Sequence, residues 1–419
     1  MRRTPIAHVI FPRFDVVRPV PEFAWEAARS LLETDDLDVE VVMPVPARFL
    51  RRAQDLFRSF RGATTWPPEL EARLQSLDPR PTLVPFVPVP GRSIEAATAA
   101  MAAHMIARPR AGRPRSIQGS FLDEGGYAAA MIGRVVGCPA IVAAHGTDVR
   151  AARGHLSGSA KQHRRQQRAL QALQYADRVV AVCHHLAQEL AILGARADVL
   201  PFTARASRFV PLGNLVKEGD AQAATHGTDG TDETEILFVG RVSREKGVDA
   251  LLKAFAQTAV RRRGRGAARL RLVGPPAEGF DVLSLAQALG VANEVIVEGE
   301  VPQDRLPPFY ANASCLVLPS RAEGLPCVVA EALLMGRPVV ASDVGGMREL
   351  VDDRVGRLVA SVDDPERLAV AIDEVVMAAK AGAFDPAALR ERAMPTTWEH
   401  SGPKLAALTR ETHARARSS

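Results

Sequence analysis

Short strand-like runs alternate with helix-like runs along this chain, and the whole pattern occurs twice. Alternation of this kind is typical of parallel sheets whose strands are joined by crossover helices. The sequence therefore predicts an α/β fold with two Rossmann-like parallel-sheet domains. The clearest predicted strands are Ile6–Phe11, Val39–Val42, Thr82–Val87, Ala140–Ala144 and Arg178–Val182 in the first half, and Ile236–Val239, Arg269–Val273, Val295–Val297, Cys315–Leu318 and Val339–Ala341 in the second.

The two halves are separated by a polar stretch at residues 217–233 that is rich in Gly, Thr and Asp and has no hydrophobic period. Such a composition is typical of a linker. We therefore predict an N-terminal domain at residues 1–216, a linker at 217–233 and a second domain at 234–395. A length of 419 residues agrees with at least two domains.

The formal net charge of +5 comes from one part of the chain, because residues 101–216 hold far more basic than acidic side chains. The densest patches are residues 108–115 and 161–168. They are interpreted either as solvated surface or as a surface that attracts an anionic acceptor or a membrane leaflet. Nucleic acid is not expected as a partner, because no aromatic residue lies within the patches to stack on bases.

The apolar runs are too short to span a bilayer. Four cysteines are widely scattered without a C-x-x-C pair, which favours buried thiols in a reducing compartment. We therefore expect a cytoplasmic protein, with peripheral contact at the inner face of the membrane through residues 101–216 as the alternative. No cluster of metal ligands is recognisable, so no metal site is predicted.

Two glutamates, Glu323 and Glu331, are separated by a turn signal and an apolar run. The run 328–336 is predicted as a helix, with Pro326 at its first position and Gly336 just past its end. Backbone N–H groups at such a helix start favour an anion such as phosphate. The alternative is an amphipathic helix whose glutamates cap it or face water.

A second candidate site follows the strand Ile236–Val239, where Gly240 precedes a loop that carries Arg241 and Lys246. Ligands of parallel α/β sheets bind at the carboxyl ends of the strands. Cations at the start of the following helix oppose its dipole, and a bound diphosphate would compensate for that placement. The alternative is an ordinary basic loop.

In the first half, His145 directly follows the predicted buried strand Ala140–Ala144. A histidine at the carboxyl end of a parallel strand lies where ligands bind, although a lone histidine there is often structural. Asp148, three residues later, has the alternative role of capping the next helix.

The Glu323/Glu331 pair, the loop from Gly240 to Gly247 and the segment 338–346 together resemble the nucleotide-sugar half of a family 4 retaining glycosyltransferase. The resemblance runs from about Ile236 to Leu358 in uninterrupted order. It implies a GT-B fold, with the two domains facing across a cleft and a C-terminal helix, residues 396–419, returning to the N-terminal domain. It also implies a metal-independent hexosyltransferase that needs no cofactor.

The implied reaction moves a sugar from a nucleotide-sugar donor, UDP- or GDP-linked, to an acceptor hydroxyl with retention of configuration. Polysaccharide, glycolipid or small-molecule glycoside synthesis would use such a step, with an unknown acceptor that is anionic or lipid-linked. The resemblance assigns catalytic roles to Glu323, Arg241, Lys246 and His145. It assigns donor binding to Gly240, Glu300, Val301, Gly324, Leu325 and Glu331, with Glu331 on the ribose and the backbone of Gly324 and Leu325 on the distal phosphate.

The chain departs from the family pattern at two places, both expected in the acceptor domain. The stretch Pro12–Pro21 has no glycine-rich loop, and Leu200–Phe209 lacks the usual P-N-G turn. A backbone without glycine approaches a ligand less closely. These departures keep a second hypothesis open, a catalytically silent GT-B subunit that binds a nucleotide sugar or a partner. An epimerase of the same fold is a third.

Overall fold

The computed structural model describes residues 4–9, 22–46, 82–86, 89, 91–154, 158–211, 234–262 and 268–416. Contacts between Cα atoms divide the chain into two compact units. The first unit comprises Met1–Leu200 with Ser401–Ser419, and the second comprises Pro201–His400.

The first unit is built on a parallel sheet whose strand order is β3-β2-β1-β4-β5-β6-β7. Its strands are β1 (Thr4–Val9), β2 (Leu37–Pro46), β3 (Thr82–Phe86), β4 (Ser116–Ser120), β5 (Ala140–Ala144), β6 (Arg178–Ala181) and β7 (Ala197–Val199). The strand order reverses between β1 and β4, as in doubly wound folds. This order agrees with the predicted α/β class.

The helices of the first unit are α1 (Glu22–Leu32), α2 (Ser93–Ile106), α3 (Gly126–Val136), α4 (Thr147–Ala152), α5 (Ala160–Tyr175) and α6 (His184–Ile192). One core cluster joins α2 and α3 to the sheet, with Met101, Met105, Ile117 and Ile132 fully buried. Burial of such side chains is the main stabilising contribution in a layered α/β unit.

Strand β4 was not predicted, because its sequence Ser-Ile-Gln-Gly-Ser has no apolar run. All five residues are buried at the centre of the sheet. The Gln118 side chain donates a hydrogen bond to Thr409, which lies on the C-terminal helix Trp398–Ala416. Residues 401–416 thus supply the partner that a buried amide needs.

The second unit holds a parallel sheet of order β10-β9-β8-β11-β12-β13. Its strands are β8 (Glu235–Val239), β9 (Arg269–Val273), β10 (Val295–Gly299), β11 (Cys315–Leu318), β12 (Val339–Ser342) and β13 (Gly356–Val359). The order reverses between β8 and β11. Ligands of doubly wound sheets bind at such a point, outside the carboxyl ends of the strands.

The helices of the second unit are α7 (Val248–Gln257), α8 (Ala259–Arg262), α9 (Val282–Ala288), α10 (Pro307–Asn312), α11 (Cys327–Leu334), α12 (Met347–Leu350), α13 (Pro365–Lys380) and α14 (Pro386–Ala393). They are followed by α15 (Trp398–Ala416). No helix within the described ranges combines the length and the apolar character that crossing a bilayer requires.

The unit boundaries in the structure differ from the predicted domain boundaries. The chain passes from the first unit to the second after Leu200 and back after His400, whereas the sequence predicts these changes in 217–233 and at 396. The segment Pro201–Phe209, which lacks the P-N-G turn, therefore belongs to the second unit and not to the predicted acceptor domain. The predicted linker 217–233 and the glycine-free stretch Pro12–Pro21 lie outside the described residues.

Candidate functional site

An ion pair joins the two candidate segments of the second unit. The Lys246 Nζ atom lies 2.6 Å from Glu323 Oε1, and the Ser320 hydroxyl donates to the same oxygen at 2.6 Å. Lys246 follows β8 and Glu323 follows β11, so the pair lies where the strand order reverses. Glu323 is largely buried and Lys246 is about one-third exposed, and this position suits a cation that meets a ligand arriving from solvent.

Two glycines allow the loops around this ion pair to pack closely. Gly247 has a φ of +71°, and a Cβ atom there would lie 1.8 Å from the carbonyl oxygen of Pro319. Gly345 has a φ of +59°, and its Cβ would lie 2.3 Å from the carbonyl oxygen of Glu323. Only glycine fits such positions without a shift of the backbone. The turn after β12 therefore lies directly against the backbone of Glu323.

Arg321 braces the same two loops, although no sequence pattern singles it out. Its guanidinium donates to Asp249 at 2.9 Å and to Asp363 at 2.7 Å, and its backbone N–H donates to the Glu245 carbonyl at 2.9 Å. The guanidinium also bonds to the carbonyl of Arg244. These contacts hold the loop after β11 against the loop after β8.

Helix α11 begins one residue later than predicted. Pro326 is the N-cap, with φ −76° and ψ 116°, and Cys327 is the first helical residue. The first N–H groups of the helix therefore belong to the residues from Cys327 onward, whereas Gly324 and Leu325 precede the N-cap. The Gly324 carbonyl accepts a hydrogen bond from Gly346 at 2.7 Å. Gly336 lies just past the helix end at φ +70°, as predicted.

Glu331 is buried, with only 2% of its surface exposed. The Tyr310 hydroxyl donates to Glu331 Oε2 at 2.5 Å, and the Gln303 amide donates to Oε1 at 3.3 Å. Burial and the adjacent carboxylate raise the pKa of Tyr310 well above its ordinary value, so the phenol keeps its proton. The alternative in which Glu331 faces water is therefore wrong.

The loop after β10 reaches Glu331 through Gln303 rather than through the two residues predicted from the sequence. Glu300 is exposed and Val301 is half-buried, and both precede the short 3-10 turn Gln303–Arg305. Their role in binding the base stays a prediction. Gln303 and Tyr310 were missed because nothing in the sequence ties them to a glutamate 28 and 21 positions away.

Gly240 and Arg241 lie at the carboxyl end of β8. The Gly240 N–H donates to the Val273 carbonyl at 2.9 Å, which joins the loop to the neighbouring strand, and the Arg241 side chain is exposed. Arg244 is exposed as well, with its guanidinium 5.9 Å from the ring centroid of Phe280. The phosphate role of Arg241 stays a prediction.

In the first unit, His145 follows β5, and its ring lies 4.4 Å from the Phe121 ring, centroid to centroid. Burial lowers the pKa of His145 to about 3, so its imidazole is neutral at neutral pH. Phe121 has a φ of +65°, the one positive value among the described non-glycine residues. Holding a non-glycine residue in this backbone conformation costs energy, and such residues are often found at functional sites.

Asp148 organises the loop around His145 and does not cap the next helix in the usual sense. Its carboxylate accepts backbone N–H groups from Leu122 at 2.9 Å, Gly146 at 2.7 Å and His145 at 3.1 Å. Burial and the nearby Asp123 raise the pKa of Asp148, while these donors lower it. Asp148 thereby ties the loop after β5 to the loop after β4.

The basic patches of the first unit are partly used in internal contacts. Arg108 pairs with Glu40, Arg165 pairs with Asp123, and Arg168 donates to the Asp123 carbonyl at 2.8 Å. These contacts hold the segment after α2 against β2 and hold α5 against the loop after β4. They reduce the positive charge that these residues present to a ligand.

The four cysteines are free thiols, two buried and two half-buried. Burial raises the pKa of Cys138 and Cys315 to about 12, which makes both thiols poor nucleophiles. Within the described ranges, no group of three or more His, Cys, Asp or Glu side chains has the geometry of a metal site.

Comparison with known proteins shows which family model this part of the chain matches. The family model of glycosyl transferases group 1 matches residues 233–377, which include all the candidate residues of the second unit. The chain is 37% identical over 151 residues to D-inositol 3-phosphate glycosyltransferase of Acidothermus cellulolyticus, covering 35% of this chain and 34% of that one. It is 31% identical over 238 residues to the putative teichuronic acid biosynthesis glycosyltransferase TuaC of Bacillus subtilis, covering 57% and 55%. The alignments thus span between a third and just over half of these relatives.

Solved structures extend the likeness to the whole chain at the level of the fold. Sucrose-phosphate synthase of Thermosynechococcus elongatus matches with a TM-score of 0.70 and 18% identity, covering 99% of this chain and 100% of that one. Anabaena HepE in complex with UDP matches with a TM-score of 0.67 and 17% identity, covering 99% and 100%. These neighbours confirm the predicted GT-B fold class.

Proposed function

We propose, from the premise that residues 233–377 belong to the glycosyl transferases group 1 family, that this chain transfers a hexosyl group from a nucleotide sugar to an acceptor hydroxyl. We propose retention of configuration and no requirement for a metal ion. The observation that carries the proposal is the contact between Lys246 and Glu323, 77 positions apart in sequence, where the strand order of the second unit reverses. In a nucleotide sugar the phosphate is bonded directly to the sugar. The Lys246 ammonium could therefore bind the phosphate while the neighbouring Glu323 carboxylate accepts hydrogen bonds from the sugar hydroxyls.

In the proposed reaction, the bond between the anomeric carbon and the leaving diphosphate breaks. The acceptor oxygen bonds to the same carbon on the face from which the diphosphate leaves. The acceptor proton passes to the leaving phosphate oxygen. Lys246 and Arg241 stabilise the negative charge that develops there, which is the largest effect that a protein without a metal can supply. Glu323, held by Ser320, orients the sugar hydroxyls and is not required as a nucleophile.

The donor is proposed to be a UDP- or GDP-sugar whose ribose hydroxyls bind Glu331. HepE was crystallised with UDP and with UDP-glucose, and this supports a uridine donor without deciding the base. The acceptor is proposed to be anionic or lipid-linked, because several arginines of residues 101–216 remain exposed. Peripheral membrane contact through the same surface is part of the proposal, as is a role for His145 in placing the acceptor.

Thermal-shift titration with UDP-, GDP- and ADP-sugars tests donor binding, because a ligand that binds only the folded state raises its stability. Release of free nucleoside diphosphate from the donor that binds then measures transfer or slow hydrolysis. Binding with release supports the proposed enzyme. Binding of a donor without any release, in the presence of extracts that contain acceptors, supports the silent subunit instead. The absence of binding to every donor contradicts the proposed enzyme and also a silent subunit that binds a nucleotide sugar.

A further inference from the structure

Glu331 is supplied with hydrogen-bond donors by the protein itself. One carboxylate oxygen accepts from the Tyr310 hydroxyl at 2.5 Å and the other accepts from the Gln303 amide at 3.3 Å. Tyr310 is fully buried and Glu331 is 2% exposed. A buried carboxylate that lost its donors would be strongly destabilising, so these two contacts keep the site stable without a ligand.

The orientation of the Gln303 amide is determined by its neighbours. Arg208 Nη1 donates to Gln303 Oε1 at 2.8 Å, while Gln303 Nε2 donates to Glu331. Because a guanidinium only donates and a carboxylate only accepts, this assignment of oxygen and nitrogen satisfies both contacts and the flipped one satisfies neither. Arg208 therefore aims the Gln303 NH₂ group at Glu331.

Tyr310 and Gln303 differ in how firmly they are held. The Tyr310 ring packs edge-on against Phe209 at 5.9 Å and has no exposed surface. Gln303 is half-buried on a short 3-10 turn, and its contact with Glu331 is long. Of the two donors, the Gln303 amide is thus the one that an entering ribose hydroxyl can displace from Glu331 Oε1, or share that oxygen with.

We propose that Gln303 is a specificity-determining residue that makes the donor site tolerant of the nucleotide's sugar, so that ribose and deoxyribose nucleotides both bind. The inference rests on the proposed function, in which Glu331 accepts from the ribose hydroxyls. A ligand without those hydroxyls leaves Glu331 bonded to Gln303, so no buried carboxylate oxygen is stranded. Strong rejection of an analogue that lacks a hydroxyl needs a polar group left unpaired.

The test compares the Kd of each nucleoside diphosphate with that of its 2′,3′-dideoxy analogue by calorimetry, with uridine, guanosine and adenosine pairs. Removing both hydroxyls makes the result independent of which one meets Glu331. For the wild type we expect the dideoxy analogue to bind at most about tenfold more weakly, the value of an exchanged hydrogen bond. The matched variants are Gln303→Ala and, as a control on the same turn, Asp304→Ala, whose side chain is exposed.

In Gln303→Ala, the dideoxy analogue covers a carboxylate oxygen that has lost the hydrogen bond from the Gln303 amide. We expect the ratio of the two Kd values to rise at least about fivefold, with the ribose nucleotide bound about as well as by the wild type. Asp304→Ala should keep the wild-type ratio. A structural role for Gln303 alone would weaken both ligands equally and leave the ratio unchanged.

A wild-type ratio above about a hundredfold, or a ratio that Gln303→Ala does not raise, overturns this inference while leaving donor binding intact. Failure of all three ribose nucleotides to bind overturns the proposed function together with it. Tyr310→Phe is a second variant that keeps the buried ring and removes only the hydroxyl. This variant should also raise the ratio of the two Kd values. An unchanged ratio would contradict the inference that hydrogen bonds from the protein to Glu331 make the site tolerant of the deoxyribose.

Discussion

Replacement of Lys246 by methionine removes one charge from the site and keeps most of the side chain. The Nζ atom lies 2.6 Å from Glu323 Oε1, and the side chain is about one-third exposed. If the ammonium stabilises the leaving diphosphate, its loss should lower kcat by ~10²- to 10³-fold, as the loss of one oxyanion donor does elsewhere. That range corresponds to about 3–4 kcal/mol of transition-state stabilisation.

The same substitution should have little effect on folding. A partly exposed ion pair contributes at most about 1 kcal/mol, and Glu323 keeps the hydroxyl of Ser320 at 2.6 Å. In a unit of this size, 1 kcal/mol corresponds to a melting shift of roughly 2–4 °C. Lys253→Met, on the exposed face of α7, makes the same chemical change away from the site and is the matched control.

The assay is release of nucleoside diphosphate under saturating donor, with the melting temperature measured on the same preparations. We expect Lys246→Met to lose activity with a nearly unchanged melting temperature, and Lys253→Met to retain both. Normal turnover in Lys246→Met would refute the assignment of this cation. A fall in the melting temperature well beyond 4 °C would refute the reasoning that separates its catalytic from its structural role.

Three further predictions concern binding, packing and pH. Glu331→Ala should raise KM for the donor more than it lowers kcat, because the ribose contacts exist in both the ground and transition states; steady-state kinetics would contradict this with an unchanged KM. Gly247→Ala should displace the loop from Pro319, since its Cβ would lie 1.8 Å from the carbonyl oxygen, and should cost at least ~1–2 kcal/mol of stability in urea unfolding. Burial lowers the pKa of His145 to about 3, so the unfolded state gains a proton first as pH falls. The contribution of neutral His145 to the free energy of unfolding is thus fully present above about pH 6.5. It decreases as the pH falls toward 3, by up to ~1.4 kcal/mol per pH unit. Urea unfolding of His145→Asn should lack this share of the pH dependence, and an identical profile would contradict it.

The alternation of strands and helices was enough to predict the fold class, because apolar strands buried on both faces are visible as runs in the sequence. Strand β4 escaped prediction for the opposite reason. Its residues are small or polar, and Gln118 is satisfied by Thr409, 291 positions away. Local patterns carry no information on such a partner.

The candidate site was predictable in its parts and not in its connections. The sequence suggests a cation after β8 and a carboxylate after β11, but their direct contact depends on the strand order, which only the folded sheet provides. The donors around Glu331 and the Arg321 brace depend in the same way on side chains that are distant in sequence. The roles of Arg241, Glu300 and Val301 stay predictions, because their side chains are exposed or half-buried and exposure alone does not assign a role.

For residues 101–216, the number of basic side chains in the sequence overestimates the positive charge at the surface. Arg108 and Arg165 are part of its densest patches, yet each pairs with a carboxylate of its own unit. Ion pairs of this type use positive charge for internal packing, and the charge available to an acceptor is therefore smaller than the sequence indicates.

The proposed enzyme requires that the second unit bind a nucleoside diphosphate at the ends of β8 and β11. This requirement can be examined in a crystal structure of the protein with the nucleoside diphosphate that binds most tightly. We expect a phosphate in contact with Lys246 Nζ and the backbone at Gly324 and Leu325, with the ribose hydroxyls at Glu331. A well-defined nucleotide bound elsewhere on the chain, with these residues unchanged, would refute the proposed donor site.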